Sequence, residues 1–297
     1  MRVLFDNVNF YSNSGPNSFA KKLAKEITGA DCQIVHENPD VQLSFIQATK
    51  NLGKPIVQRL DGIYFNIDQD WKKMNAPIEE TYRSSKAVIF QSEFNKQLIE
   101  KYFGKHTNSH VIRNGTTLNS INDIQPVLNS TLSKFDQVWS CASSWRPHKR
   151  LKENIKYFLE FSRPNDCLVI AGENPDHFEK NDRIFYVGNI EWKDLISLYK
   201  KSSMFLHLAW LDHCPNVVVD ARACGCHIVC SSEGGTKEIA GLNSTVINEE
   251  TWDFAPVQLY KPPDMNFFNS STGKEDHSID IKVVAEEYKN VLLEVLS

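Results

Sequence analysis

Short apolar runs alternate with stretches of helical period from one end of the chain to the other. Runs at 2–6, 33–36, 43–47, 56–60, 87–91 and 110–112 read as strands, and 18–28 and 93–102 as helices between them. After residue 135 the pattern restarts. Strands are predicted at 138–142, 167–171, 184–187, 204–208 and 227–230, with helices at 152–161, 193–200 and 216–224 and another beginning near Thr236. Such alternation predicts parallel βαβ units. Residues 116–135, polar and containing Pro126, read as a linker, and 254–278, with Pro262 and Pro263, as a loop. The chain ends in an amphipathic helix on which Val283, Val284, Tyr288, Val291, Leu292 and Val295 recur at helical spacing. The expected fold is therefore α/β, with two stacked halves and a crevice between them. Ligands of parallel sheets bind beyond the carboxyl ends of the strands, so the strand-to-helix loops are where chemistry belongs.

Composition narrows the class. A length of 297 residues suits two domains, and 41% apolar with 24% charged residues is an ordinary globular mix. Thirty-three basic against 37 acidic side chains leave a net charge of −4, which argues against a general nucleic-acid binder. The charge is uneven, net +3 over residues 1–135 and −7 over the rest. That asymmetry favours an anionic or membrane-bound acceptor on the first half, while the Lys21, Lys22 and Lys25 cluster reads as a solvated helix face, or else as a contact for anionic lipid. There is no 18-residue apolar run; the longest, near 204–211, is interrupted by His207. Asp6, Asn7 and Asn9 make the N-terminus unlike a secretory signal, so a cytoplasmic protein is expected. Seven scattered cysteines form no disulfide framework. Cys224, Cys226 and Cys230 beside His227 read as small core residues, because alternate positions of a strand face opposite sides and no second ligand pair follows.

The most informative stretch runs from Leu208 to Ile239. Asp212 lies in the loop that leaves a strand, and Pro215 is expected in the first turn of the following helix. The amides of Asn216, Val217 and Val218 could then hold a diphosphate. Asp220, eight residues beyond Asp212, suits a ribose diol, since one carboxylate can accept two hydroxyl protons. Gly225 is expected to end the helix, the Gly234-Gly235 turn to let backbone approach a ligand, and Glu238 to open another helix. A second loop, Cys141-Ala-Ser-Ser-Trp-Arg-Pro-His-Lys-Arg, carries cations after the first strand of the second half.

These residues resemble the nucleotide-sugar site of GT-B glycosyltransferases, glycosyltransferase family 4 in particular. That family carries two Glu separated by seven residues, then Ala-x-Ala-x-Gly, a strand and Gly-Gly-x-x-Glu. Asp212, Asp220, Ala221, Ala223, Gly225, Gly234, Gly235 and Glu238 stand at those positions, with both Glu shortened to Asp. The 141–150 loop is similar to the family's Arg-x-x-Pro-x-Lys, with Pro147 and Lys149 in register. Ser144 stands where the Arg would be, leaving Arg146 or Arg150 to supply the second charge. Gly172 and the Val187-Gly188-Asn189 turn resemble the family's strand ends near the nucleotide. The loop from Asn13 to Ser18 resembles its N-terminal glycine loop, with Asn17 and Ser18 as candidate helix caps. Asp61, in Arg59-Leu-Asp-Gly, falls where the family often has a His close to the reacting centre.

The resemblance implies a retaining transferase that moves a sugar from a nucleotide-diphosphate donor to a hydroxyl of a glycan, lipid or other acceptor. Asp61, Asp212 and Lys149 would be catalytic. Gly15, Ser144, Arg146, Arg150, Gly188, Cys214, Asn216, Val217 and Asp220 would bind the donor. No cofactor and no metal are implied, since no Asp-x-Asp site is recognisable and the cations would carry the leaving group. The resemblance implies two Rossmann-like domains facing a cleft, 1–130 on the acceptor side and 131–280 binding the nucleotide sugar, with 281–297 as a helix crossing back to the first. Two other readings remain: a nucleotide-sugar epimerase of the same shape, or a nucleotide-sugar-binding protein that has lost its activity.

Overall fold

The apolar runs of the first 111 residues become six strands in the computed structural model, which describes residues 1–12 and 14–297. In chain order these are β1 (Arg2–Asp6), α1 (Gly15–Ile27), β2 (Gln33–Ile34), β3 (Val41–Phe45), β4 (Ile56–Leu60), α2 (Trp71–Ser84), β5 (Ala87–Phe90), α3 (Glu93–Phe103) and β6 (Ser109–Val111). The strands form one sheet in the order β2-β1-β3-β4-β5-β6, every pairing parallel. Helix α2 has no counterpart in the sequence reading. Pro77 lies inside it, and its buried face mixes Asn75 and Thr81 with Ile78 and Tyr82, so the apolar stripe is thin. Helix α1 starts at Gly15, with Ser14 rather than Asn17 or Ser18 in the capping position. Asn13 lies outside the described residues.

The second series comprises α4 (Leu118–Asn122), β7 (Gln137–Ala142), α5 (Leu151–Phe161), β8 (Asp166–Ala171), β9 (Ile184–Gly188), α6 (Trp192–Lys201), β10 (Met204–His207), α7 (Asn216–Ala223), β11 (His227–Ser231), α8 (Thr236–Ile239), β12 (Ser244–Ile247) and β13 (Ser270–Thr272). Its sheet runs β13-β12-β11-β10-β7-β8-β9, parallel except for the β12–β13 pair. Leaving out β13, this is the strand order of a Rossmann fold. Two expectations are corrected here. Segment 116–135 is not a free linker: Ile121, Ile124 and Leu132 are buried, and Lys200 donates to the carbonyls of Asn122 and Ile124. The 254–278 loop contains β13, whose Ser-Ser-Thr residues carry little apolar signal.

The final helix, α9 (Ile281–Glu294), buries Ile281, Val284, Ala285, Tyr288, Val291 and Leu292 in one core with Phe19, Leu23, Val41, Leu43 and Val57. Val283, expected on that face, is exposed. The chain divides into two compact units. One comprises Met1–Thr117, Asp253–Val257 and Ser278–Ser297, the other Leu118–Trp252 and Gln258–His277. The first break thus precedes residue 118, not 131, because the 118–134 segment packs on the second unit. Among the described residues no helix is long and apolar enough to cross a membrane.

Candidate active site

In the second unit the strand order reverses between β7 and β10, which are neighbours in the sheet. The loops leaving the two strands diverge there, and a crevice at such a switch point is where open α/β sheets bind ligands. The loop after β7 carries Lys149 and the loop after β10 carries Asp212. Lys149 Nζ lies 2.6 Å from Asp212 Oδ2. His207, the last residue of β10, places Nε2 2.9 Å from the same oxygen, and the backbone N–H of His213 donates to Oδ1 at 3.0 Å. Burial alone would raise the Asp212 pKa, but Lys149 and His207 outweigh it and hold the carboxyl well below its ordinary value. Burial pushes His207 down despite the pull of Asp212, and carries His213 to about 4 and His148 to about 3. At neutral pH the Asp212 carboxyl is therefore ionised and the three imidazoles are neutral.

Both acidic and basic members sit beside strained backbone. Leu211, before Asp212, has φ +59°, and Arg150, after Lys149, has φ +55°. Residues other than glycine seldom adopt this region, and such positions persist only where their surroundings hold them. Leu211 is held by its N–H on the Glu233 carbonyl at 3.1 Å. Arg150 is held by its side chain, which is fully buried. It makes two bonds to Glu249, at 2.9 and 2.7 Å, and a third to the Pro263 carbonyl at 2.8 Å. Arg150 is therefore a structural cation, correcting its expected role as a phosphate clamp. Arg146 is exposed and makes no side-chain ion pair among the described residues. Ser144 is exposed, its hydroxyl 3.3 Å from Glu173.

Helix α7 begins at Asn216, with Pro215 just ahead of it in the capping position. The Val218 N–H bonds the Pro215 carbonyl at 3.1 Å and is not available to a ligand, correcting the expected trio of amides. Val217 keeps an N–H without a protein acceptor among the described residues, and Asn216 shares the same first turn. Cys214 is buried just before it. Asp220 is 3% exposed and accepts from the Trp192 indole N–H at 2.9 Å. Gly188 ends β9 with open space around it, φ +68° and its carbonyl on the Gly172 N–H at 2.7 Å. Gly234 was expected to approach a ligand and instead approaches protein. Its neighbour Gly235 donates to the Asp212 carbonyl at 2.7 Å, which ties the glycine turn to the Asp212 loop.

Of the expected site residues, the first unit holds Gly15, the first residue of α1, and Asp61, just beyond β4. Asp61 is ion-paired with Arg59, a fully buried guanidinium that also reaches Tyr288 Oη at 3.1 Å and Asn114 Oδ1 at 2.8 Å and lies over the Phe19 ring. Gln91 donates to the same Asp61 oxygen, Oδ1. Oδ2 is buried and has no hydrogen-bond partner. Burial raises the Asp61 pKa above its ordinary value against the pull of Arg59. The structure thus brings Lys149 and Asp212 together in one unit and sets Asp61 in the other. Sequence reasoning noted His207 only as a break in an apolar run and did not single out Trp192. A histidine closing an apolar strand five residues before the key carboxylate was the available signal.

The model of the family described as glycosyl transferases group 1 matches residues 136–253, the span that holds Lys149, Asp212 and Asp220. No curated protein matches the chain in sequence. Among solved structures it is similar to HepE from Anabaena in complex with UDP and glucose, with 14% identity, TM-score 0.68, and coverage of 99% of this chain and 100% of that one. It is also similar to sucrose-phosphate synthase from Thermosynechococcus elongatus, with 11% identity, TM-score 0.69, and 99% of both chains covered. WaaG, a glycosyltransferase involved in lipopolysaccharide biosynthesis, aligns over 88% of each chain at 13% identity and TM-score 0.60. Residues 136–253 thus match a glycosyl transferases group 1 domain that spans the loops of Lys149 and Asp212, and the two Rossmann-like units give the chain the GT-B fold of these solved structures.

Proposed function

We propose that the chain moves a sugar from a nucleoside-diphosphate donor to a hydroxyl acceptor with the anomeric configuration kept. The observation that carries this reading is the convergence of Lys149 and Asp212 at the switch point of the second sheet. A departing nucleoside diphosphate gathers negative charge. Lys149, exposed Arg146 and the Val217 amide at the start of α7 are the donors suited to meet it, without a divalent cation. Asp220 would accept the ribose hydroxyls, and Asp212 would face the donor sugar. Asp61 would orient the acceptor hydroxyl.

In the reaction, the bond from the sugar's anomeric carbon to the diphosphate oxygen breaks, its electron pair leaving with the phosphate. The acceptor oxygen bonds the same carbon from the same face, and its proton passes to the leaving phosphate oxygen. No protein nucleophile is required. HepE is solved with UDP-glucose, which makes uridine diphosphate sugars the first donors to try.

The test is incubation with UDP-, GDP- and ADP-sugars and a panel of hydroxyl acceptors, following nucleoside-diphosphate release and the anomeric proton by NMR. Release should depend on acceptor, survive EDTA, disappear in Lys149→Ala and give a product of unchanged configuration. Sugar conversion without acceptor would mark an epimerase. Nucleotide-sugar binding without turnover would mark a protein that only holds its ligand.

A further inference from the structure

The three donors on Asp212 differ in how far they can move. Lys149 reaches Oδ2 on a flexible four-carbon stem whose side chain is 20% exposed. His207 Nε2, on the same oxygen, belongs to a ring locked at the end of β10 with 5% of its side chain exposed. The third donor, the His213 N–H on Oδ1, is backbone. An anion arriving at the switch point can draw the ammonium away, whereas the imidazole and the amide stay where they are.

We infer that His207 is the positioning residue that keeps Asp212 in place when the donor's diphosphate takes Lys149, so that the lone pair Lys149 gives up turns to a hydroxyl of the donor sugar. The inference rests on the donor site proposed above. Its chemistry suits a neutral ring. Asp212 is ionised and can only accept, so Nε2 must carry the proton facing it. Burial keeps His207 uncharged, and an uncharged donor fixes the carboxylate without competing with Lys149 for the phosphate. The short Asp side chain, one methylene less than a Glu, gains most from such a fixed partner because it has little reach of its own. Lys149 would be the exchangeable partner of Asp212 and His207 the permanent one.

Two substitutions separate this role from simple packing. His207→Phe keeps a ring and removes the N–H, while His207→Gln returns an amide N–H near the Nε2 position. The variants are titrated calorimetrically with the tightest of UDP, GDP and ADP, and with its glucose conjugate. His207→Phe should bind the nucleoside diphosphate within twofold of wild type and the sugar nucleotide at least tenfold more weakly. His207→Gln should stay within threefold for both. Equal losses for the two ligands in His207→Phe, or no loss for either, would overturn the inference. If the wild-type chain binds none of these ligands, the donor reading itself fails and takes the inference with it. Nitrogen-15 NMR of the ligand-free wild type gives a separate check. It should show the Nε2–H tautomer of His207, and the Nδ1–H tautomer would overturn the inference whatever the ligands do.

Discussion

The backbone of Asp212 occupies the space that a side chain at Gly234 would need. A Cβ there would lie 2.6 Å from the Asp212 carbonyl oxygen and 2.9 Å from its nitrogen, and φ is +120°. Any other residue at this position must displace the loop that aims the carboxylate. Gly234→Ala should cost about 1–3 kcal/mol in left-handed backbone strain alone, with a further loss from the clash. Urea unfolding should show that drop together with weaker nucleotide-sugar binding. Gly29→Ala, where a Cβ meets nothing within 4 Å, should leave both unchanged.

The two arginines that flank Lys149 should behave as opposites. Arg150 is buried on Glu249, and removing one partner of a buried pair costs about 3–5 kcal/mol because the other charge is stranded. Arg150→Ala should therefore lower the urea midpoint sharply. Arg146→Ala should leave the midpoint unmoved, because its side chain is exposed, and on the proposed reading it should weaken nucleoside-diphosphate binding several-fold.

Stability should fall as the solution is acidified below neutrality. Burial carries the His148 pKa from 6.5 to about 3, so an unfolded chain takes up a proton there near pH 6.5 while the fold refuses it until about pH 3. Between those values the unfolded state binds more protons, and stability declines as pH drops through the window. Each such histidine contributes up to about 1.4 kcal/mol per pH unit. His207, also pushed down by burial, adds in the same direction. The depressed carboxyl of Asp212 acts lower still. Its contribution is complete above about pH 3.9 and goes as pH falls towards the folded pKa. Urea midpoints measured from pH 7.5 to 4.5 should therefore decrease. His148→Gln should flatten the decline below pH 6.5, and parallel slopes in the two chains would contradict this origin.

Strand positions were legible because most of them are apolar runs. β1 and β4 lie where the pattern put them, and β12 was overlooked because Ser-Thr-Val-Ile is too short to stand out beside its polar neighbours. Helix α2 was invisible for a related reason: half of what it buries is polar. In the site, the spacing of Asp212, Asp220 and the glycines was readable, since a strand–loop–helix unit fixes those offsets locally. The fate of Arg150 was not. Its partner Glu249 is 99 residues away, and adjacency to Lys149 made it look like a second ligand-binding cation. Likewise, nothing local in the sequence shows that Trp192 meets Asp220 or that Tyr288 meets Arg59.

Asp61→Asn keeps the size of the side chain and the bond accepted from Gln91 while removing the charge. Donor affinity, which the proposed reading assigns to the second unit, should remain within twofold of wild type. Transfer to the acceptor should fall at least tenfold, read as loss of kcat at saturating donor. Unchanged transfer would leave Asp61 as a partner for buried Arg59 and nothing more.

The account stands most directly on the grip of Lys149 on a nucleoside diphosphate. Calorimetric titration of UDP, GDP and ADP into wild type and Lys149→Met, each confirmed as folded by circular dichroism, tests it. One nucleotide should bind the wild-type chain at a single site, with affinity at least tenfold weaker in Lys149→Met. Equal affinity in the two chains would contradict the account.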